Sequence, residues 1–226
     1  MSGALPENAA AARRQLAEGR PALVWRRLVA DTETPVGAAL KLIEPERGDF
    51  LLESVEGGEV RGRYSLLGLD PDLVFRAIGH ACEVNRAWAH DPAAFAPLPG
   101  DALSELRALV AACRIEVPDN LPPIACLVGY FGYETIGLVE KLPRASQSEL
   151  SLPDMLFVRP TTILVFDNLS DELFCIAPLW ADGTDAERAI EAASERIDGA
   201  LRALGAGAPA NARSADLPEL ALTPGM

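Results

Sequence analysis

Residues 49–79 read DFLLESVEGGEVRGRYSLLGLDPDLVFRAIG, and this stretch decides the fold class. FLLESV is a short apolar run closed by the turn pair Gly57-Gly58, and RYSLLGL and DLVFRAIG follow it, separated by Asp70-Pro71, a pair that favours a turn. Residues 80–88 supply a further strand. Strands at such short spacing belong to an antiparallel sheet, because parallel neighbours need a long crossover. Outward from there, ALVWRRLV (22–29), MLFVRPTTILVF (155–166) and LFCIAPLW (173–180) read as strands, the last two linked through Asp167, Asn168, Ser170 and Asp171. IACLVGYFGYE (124–134) is nearly continuous in apolar residues and reads as a central strand, with Gly129 and Gly132 marking a bulge or a close backbone approach.

Helices are expected between these strands. Residues 8–19 are rich in Ala, Arg and Glu. Thr34 followed by Pro35 makes an N-cap and first-turn pair for a helix presenting Ala38, Ala39, Leu42 and Ile43 and ending near Pro45. Asp101 caps a helix with Leu103, Leu106, Val110 and Cys113 on one face. Thr184 and Glu187 have capping-box spacing ahead of Ile190, Ala193, Ile197, Leu201 and Leu204. The expected fold class is therefore α+β, a largely antiparallel β-sheet with flanking helices. After Leu204, GAGAPANARSADLPELALTPGM loses all periodicity and reads as a linker, with a further domain expected beyond it.

The chain has 226 residues and carries 33 acidic against 20 basic side chains, a net charge of −13. Phosphate binding needs clustered Lys and Arg, so nucleic acid is excluded as a partner. No apolar run is long enough to span a membrane, and the polar, alanine-rich start lacks the pattern of a secretory signal. Cys82, Cys113, Cys126 and Cys175 form no CxxC pair, which argues against metal and redox motifs. Cys126 and Cys175 lie in apolar, strand-like runs, and together these features fit a reducing cytoplasm.

Glu53 is the sharpest anomaly. Strand side chains alternate, so Leu51, Glu53 and Val55 share one face and Phe50, Leu52 and Ser54 the other, and whichever face is core receives a polar group. A buried carboxylate needs compensation. One reading gives Glu53 a ligand ammonium, with Ser54 beside it. The other makes it a strand end turned to water, or an internal partner of Arg61 or Arg63. Arg63 and Tyr64 either line the same pocket or are a solvated Arg and a half-buried Tyr. In GYFGYE, Glu134 with Tyr130 or Tyr133 has the groups for proton transfer, but an aromatic-rich central strand is expected to be core. His80 and His90 lie near turns with no nucleophile pattern. No GxSxG, HExxH, P-loop or GxGxxG motif occurs.

ETPVGAALKL (33–42), FLLESVEGGEVRGRYSLLGLDPDL (50–73) and GYFGYETIGLVEKLP (129–143) resemble the anthranilate synthase component I family, the likeness covering most of residues 22–180. The resemblance implies three parts: a helical segment (1–20), an amino-terminal regulatory domain (21–205), and a linker (206–226) to a chorismate-binding catalytic domain outside these residues. It implies that the whole enzyme converts chorismate and ammonia to anthranilate and pyruvate with Mg2+, in the first committed step of tryptophan biosynthesis, and takes the ammonia from a glutamine amidotransferase partner, component II. It also implies feedback inhibition by tryptophan, with Glu53, Ser54 and Leu52 in the tryptophan pocket and Arg63 or Tyr64 as the downstream contact. The family's catalytic residues, its Mg2+-binding glutamates and its NPSPYM-like segment are absent from this sequence, so no catalytic or metal-binding residue is assigned here. Component I of aminodeoxychorismate synthase and a stand-alone amino-acid-binding regulatory module are the competing expectations; LLES with VEGG and GRYS favours the anthranilate enzyme.

Overall fold

In a computed structural model, residues 5–53, 62–141 and 152–207 are described. The elements run α1 (Ala9–Ala17), β1 (Ala22–Val29), α2 (Pro35–Leu42), β2 (Phe50–Leu52), β3 (Tyr64–Ile78), β4 (Ala81–Asn85), β5 (Phe95–Pro97), α3 (Ala102–Ala112), β6 (Val128–Phe131), a 3-10 helix (Tyr133–Leu138), β7 (Met155–Asp167), β8 (Glu172–Leu179) and α4 (Ala186–Leu204). The strands form one eight-stranded sheet ordered β1-β8-β7-β3-β4-β5, with β2 added to β3 and β6 to β7. Every pairing is antiparallel. The architecture is thus the expected α+β one, a mostly antiparallel sheet with helices.

Alternation along the strands builds two covered faces. Ala22, Val24, Leu164, Phe166, Leu173 and Cys175 turn to the face covered by α1, α2 and α4, where Ala38, Ile190, Ala193 and Ile197 meet them. Leu23, Trp25, Ile163, Val165, Phe174 and Ile176 turn to the other face, under the segment carrying Ile115, Leu121 and Cys126. Farther along that second face, α3 packs Leu106 and Leu109 on Phe75, Ala77 and Met155.

The strand β3 departs from the sequence reading. Asp70-Pro71 is not a turn between two strands but lies inside one strand of 15 residues, beside a bulge between Pro71 and Leu73. Pro71 has no N–H to give a ladder and lies opposite Pro160, which has none either, so the ladder is interrupted at this pair. Asp70 takes a left-handed φ of 51°, its N–H donating to Asp49 Oδ1 at 2.8 Å and its carbonyl accepting from Thr161 Oγ1 at 2.8 Å. The extra residue flips the alternation: Leu67 and Leu69 face α2 and α4, whereas Leu73, Phe75 and Ala77, of the same parity, face α3.

Other expectations shift by local chemistry. The central strand expected over 124–134 is the short β6, paired only with β7; Cys126 lies before it and Tyr133 beyond it. The aromatic run is not core: Phe131 is 58% and Tyr133 90% exposed. Gly129 does mark a close approach, since a Cβ there would stand 1.9 Å from the Leu156 carbonyl oxygen. Asp185, not Thr184, caps α4, its carboxylate accepting from the Arg188 N–H at 3.1 Å, while Glu187 pairs with Arg13 instead of closing a box. In α3 the buried row is Ala102, Leu106 and Leu109, with Val110 turned outward. Thr34 and Asp101 cap as expected, accepting from Gly37 and from Leu103 and Ser104.

All four cysteines are free and buried. Burial raises every one of these thiols, Cys126 and Cys175 to about 12. The thiolate is the reactive form, so at pH 8 the native chain is expected to resist Ellman's reagent and to release four equivalents only in denaturant. Fast labelling of a native thiol would contradict this burial.

Candidate functional site

The residues singled out by sequence gather at one end of the sheet because β2 and β3 run antiparallel. The register Phe50↔Gly68, Leu51↔Leu67, Leu52↔Leu66 brings the end of β2 beside the start of β3. Gly68 leaves room for the Phe50 ring opposite it, since a Cβ there would fall 2.1 Å from that ring and turn it aside. The strand stops at Leu52, which is 46% exposed, and Glu53 follows it outside the ladder, also exposed. The expected burial of Glu53 among apolar side chains is therefore not found. The pairing of β2 with β3 ends at Leu52, which leaves the Glu53 carboxylate in water. Ser54 and Arg61 lie outside the described residues.

Arg63 does not pair with Glu53. Its guanidinium forks onto Asp167, Nε to Oδ1 at 2.8 Å and Nη2 to Oδ2 at 2.6 Å, and its Cζ lies 4.9 Å from the Tyr64 ring centroid. A bidentate fork plus a stacked ring fixes the Arg plane and holds Tyr64 half-buried beside it. Asp167, whose side chain is 6% exposed, also accepts from the Leu169 N–H at 3.1 Å. The Arg63 hydrogen bond, with that N–H, holds this carboxyl below the usual carboxylate range, and Asp167 in turn raises Arg63. Asp167 went unrecognised in sequence, where it reads as a hairpin residue; its partner lies 104 positions away.

This fork has a pH signature. A carboxyl with a depressed folded pKa contributes stability that is fully present above its unfolded value, about 3.9, and is lost as pH falls through the folded value. Asp167→Asn is therefore expected to lower the urea midpoint near neutrality and to flatten its fall below about pH 4. An unchanged acid limb in the variant would contradict the assignment.

Elsewhere, Tyr130 donates from its hydroxyl to the Pro153 carbonyl at 3.0 Å, and Phe131 meets Phe157 edge-on at 5.1 Å between centroids. Glu134 is half-buried and makes no pair with a nucleophile, and His80 and His90 are exposed. Among the described residues no three His, Cys, Asp or Glu side chains group closely enough to hold a metal ion. No helix among them is long and apolar enough to cross a membrane.

No family model matches the chain. Individual relatives do. Anthranilate synthase component 1 of Cereibacter sphaeroides is 46% identical over 194 residues, 85% of this chain and 39% of that protein. The chain belongs to the anthranilate synthase component I family. The same-named proteins of Mycolicibacterium smegmatis and Thermus thermophilus are 35% and 37% identical over 83% and 76% of the chain, which covers 36% and 35% of their lengths. The fold agrees as well: the crystal structure of anthranilate synthase component I from Streptococcus pneumoniae TIGR4 superposes with a TM-score of 0.52 at 20% identity, over 81% of this chain and 38% of that one. The chain thus spans about two fifths of the length of the component I proteins it matches.

Proposed function

We propose that these residues are the amino-terminal regulatory part of an anthranilate synthase component I, contributing one wall of a tryptophan feedback site and leaving chorismate chemistry to a domain outside them. The observation that carries this reading is the 46% identity sustained over 85% of the chain while only 39% of the relative is covered. The unmatched three fifths of the relative would supply the catalytic residues, the Mg2+ ligands and the opposite wall of the pocket. Leu52 at the end of β2 is 46% exposed and so is open to a second wall. In the assembled enzyme, the exposed Glu53 carboxylate would meet the tryptophan ammonium once the second wall closes over it, with Ser54 and Leu52 adjoining. The Arg63–Asp167 fork would hold Tyr64 and the edge of the pocket in place rather than touch the inhibitor through a free guanidinium. Regulation then requires that tryptophan bind one domain arrangement better than the other. A glutamine amidotransferase, component II, would deliver the ammonia.

The test joins this chain to the remaining three fifths of the Cereibacter sphaeroides protein and assays chorismate with ammonium and Mg2+. The joined protein is expected to form fluorescent anthranilate, with turnover at least a thousandfold above that of the 226-residue chain alone, on the scale of losing a whole catalytic constellation. Aminodeoxychorismate as product, or comparable turnover by the chain alone, would overturn the reading.

A further inference from the structure

A cavity of about 260 Å3 lies between α2, α4 and the bulge of β3, lined by Leu42, Leu69, Asp70, Arg196, Ala200 and Ala203 among others. It is smaller than the ~300–1,000 Å3 of drug-sized ligand sites, and so suits a small metabolite. Its charges do not cancel internally. Lys41 is held by Glu33 at 2.8 Å, and Arg47 by Asp49 at 2.7 Å and Glu44 at 2.8 Å. Arg196 is different. Its Nε is buried with no hydrogen-bond partner, and among the described residues it forms no ion pair. Burial pushes its guanidinium below the ordinary Arg value, while Asp70 and Asp72 oppose this from beyond contact distance. Asp72 is already committed to Arg159, at 2.7 and 2.8 Å. That leaves Asp70, whose backbone is bonded through both its N–H and its carbonyl, so its side chain starts from a fixed point on the cavity wall. Among the described residues Asp70 forms no ion pair either.

One cavity therefore presents a cation whose Nε has no hydrogen-bond partner, an anion that Arg196 and Arg47 reach only from beyond ion-pair distance, and an apolar wall. A lone oxyanion would satisfy Arg196 but meet Asp70, and a lone amine would do the reverse. We propose that this cavity binds a small α-amino acid with an apolar side chain, its carboxylate on Arg196, its ammonium on Asp70 and its side chain against Leu42, Leu69, Ala200 and Ala203. Planar carboxylates match the Arg fork. The site is separate from the end of β2: from Leu66 to Asp70 is four residues, roughly 13 Å along the strand. Its fate therefore does not bear on the tryptophan proposal.

Calorimetry on the 226-residue chain with L-alanine, L-valine and L-leucine tests the proposal, with 4-methylpentanoate and 3-methylbutylamine as leucine lacking one charge or the other. Saturable binding of at least one amino acid is expected, with 4-methylpentanoate about tenfold weaker than L-leucine and the amine silent. R196Q should abolish binding, and D70N, whose Asn tolerates the left-handed backbone, should reduce L-leucine to the level of 4-methylpentanoate. In the unsubstituted chain, amide resonances of Gly199, Ala200 and Ala203 should shift on saturation, a readout independent of how well R196Q folds. No saturable binding of any of the three amino acids, shifts confined to other residues, or equal affinity in a folded R196Q would overturn it.

Discussion

Phe75→Ala is expected to lower the free energy of unfolding by about 3–5 kcal/mol, the range for truncating a fully buried aromatic. Phe75 is 0% exposed and sits among Leu73, Leu106, Leu109 and Met155, contributed by three separate elements. Because these neighbours belong to β3, α3 and β7, no single side chain can swing in to refill the space, and the cavity term is retained in full. A typical domain has only ~5–15 kcal/mol in total, so the variant should be close to its unfolding threshold at 37 °C. Urea titration followed by circular dichroism measures it. Ile78→Ala, three residues along the same strand but 60% exposed, should stay within about 0.5 kcal/mol of the parent. A Phe75→Ala loss below about 1 kcal/mol would mean that α3 does not close this core.

The second large effect is expected at Gly129. A Cβ there would lie 1.9 Å from the Leu156 carbonyl oxygen and 2.7 Å from the Phe157 Cα, both backbone atoms that no rotamer change can remove. Gly129→Val must therefore open the ladder of Val128–Phe131 with Met155–Val158. At ~0.5–1.5 kcal/mol for each backbone hydrogen bond, detaching this short strand costs on the order of 2–4 kcal/mol. Hydrogen exchange should show lost protection at those amides of Met155–Val158 that face β6, retained protection at those that face β3, and unchanged protection at Ile163–Phe166, where β8 takes the place of β6. Gly137→Val is the matched control, since nothing lies within 4 Å of its Cβ position. Equal protection in both variants would contradict the tight seating of β6.

How much of this was legible in sequence depends on whether the determining contacts are local. The strand β1 over Ala22–Val29, the Thr34 and Asp101 caps and the buried Ile190, Ala193 and Ile197 of α4 follow from propensity, capping and period within a few residues. Asp70-Pro71 misled because a turn and a bulge share the same local chemistry. What distinguishes them is Pro160 facing Pro71 across the sheet, and that partner is about ninety residues away. The aromatic run GYFGYE (129–134) reads as core because composition cannot say which face of a strand is left uncovered. In the structure Phe131, at the end of β6, and Tyr133, just beyond it, lie exposed. At the candidate site, the succession of β2 and β3 is legible from the apolar runs on either side of Gly57-Gly58. The Asp167 partner of Arg63 is not, and neither is the end of β2 at Leu52, which places Glu53 in water instead of among hydrocarbon. Pairing across a sheet is set by register, and register is fixed by distant residues.

The account stands or falls on whether the end of β2 serves tryptophan. The decisive measurement is the tryptophan concentration that halves anthranilate formation by the assembled, full-length enzyme and by its Glu53→Gln and Ser54→Ala variants. The account predicts that both variants turn over chorismate within about twofold of the parent while needing at least tenfold more tryptophan, the equivalent of ~1.4 kcal/mol or more of lost inhibitor binding. Inhibition at the same tryptophan concentration in the parent and both variants would contradict it.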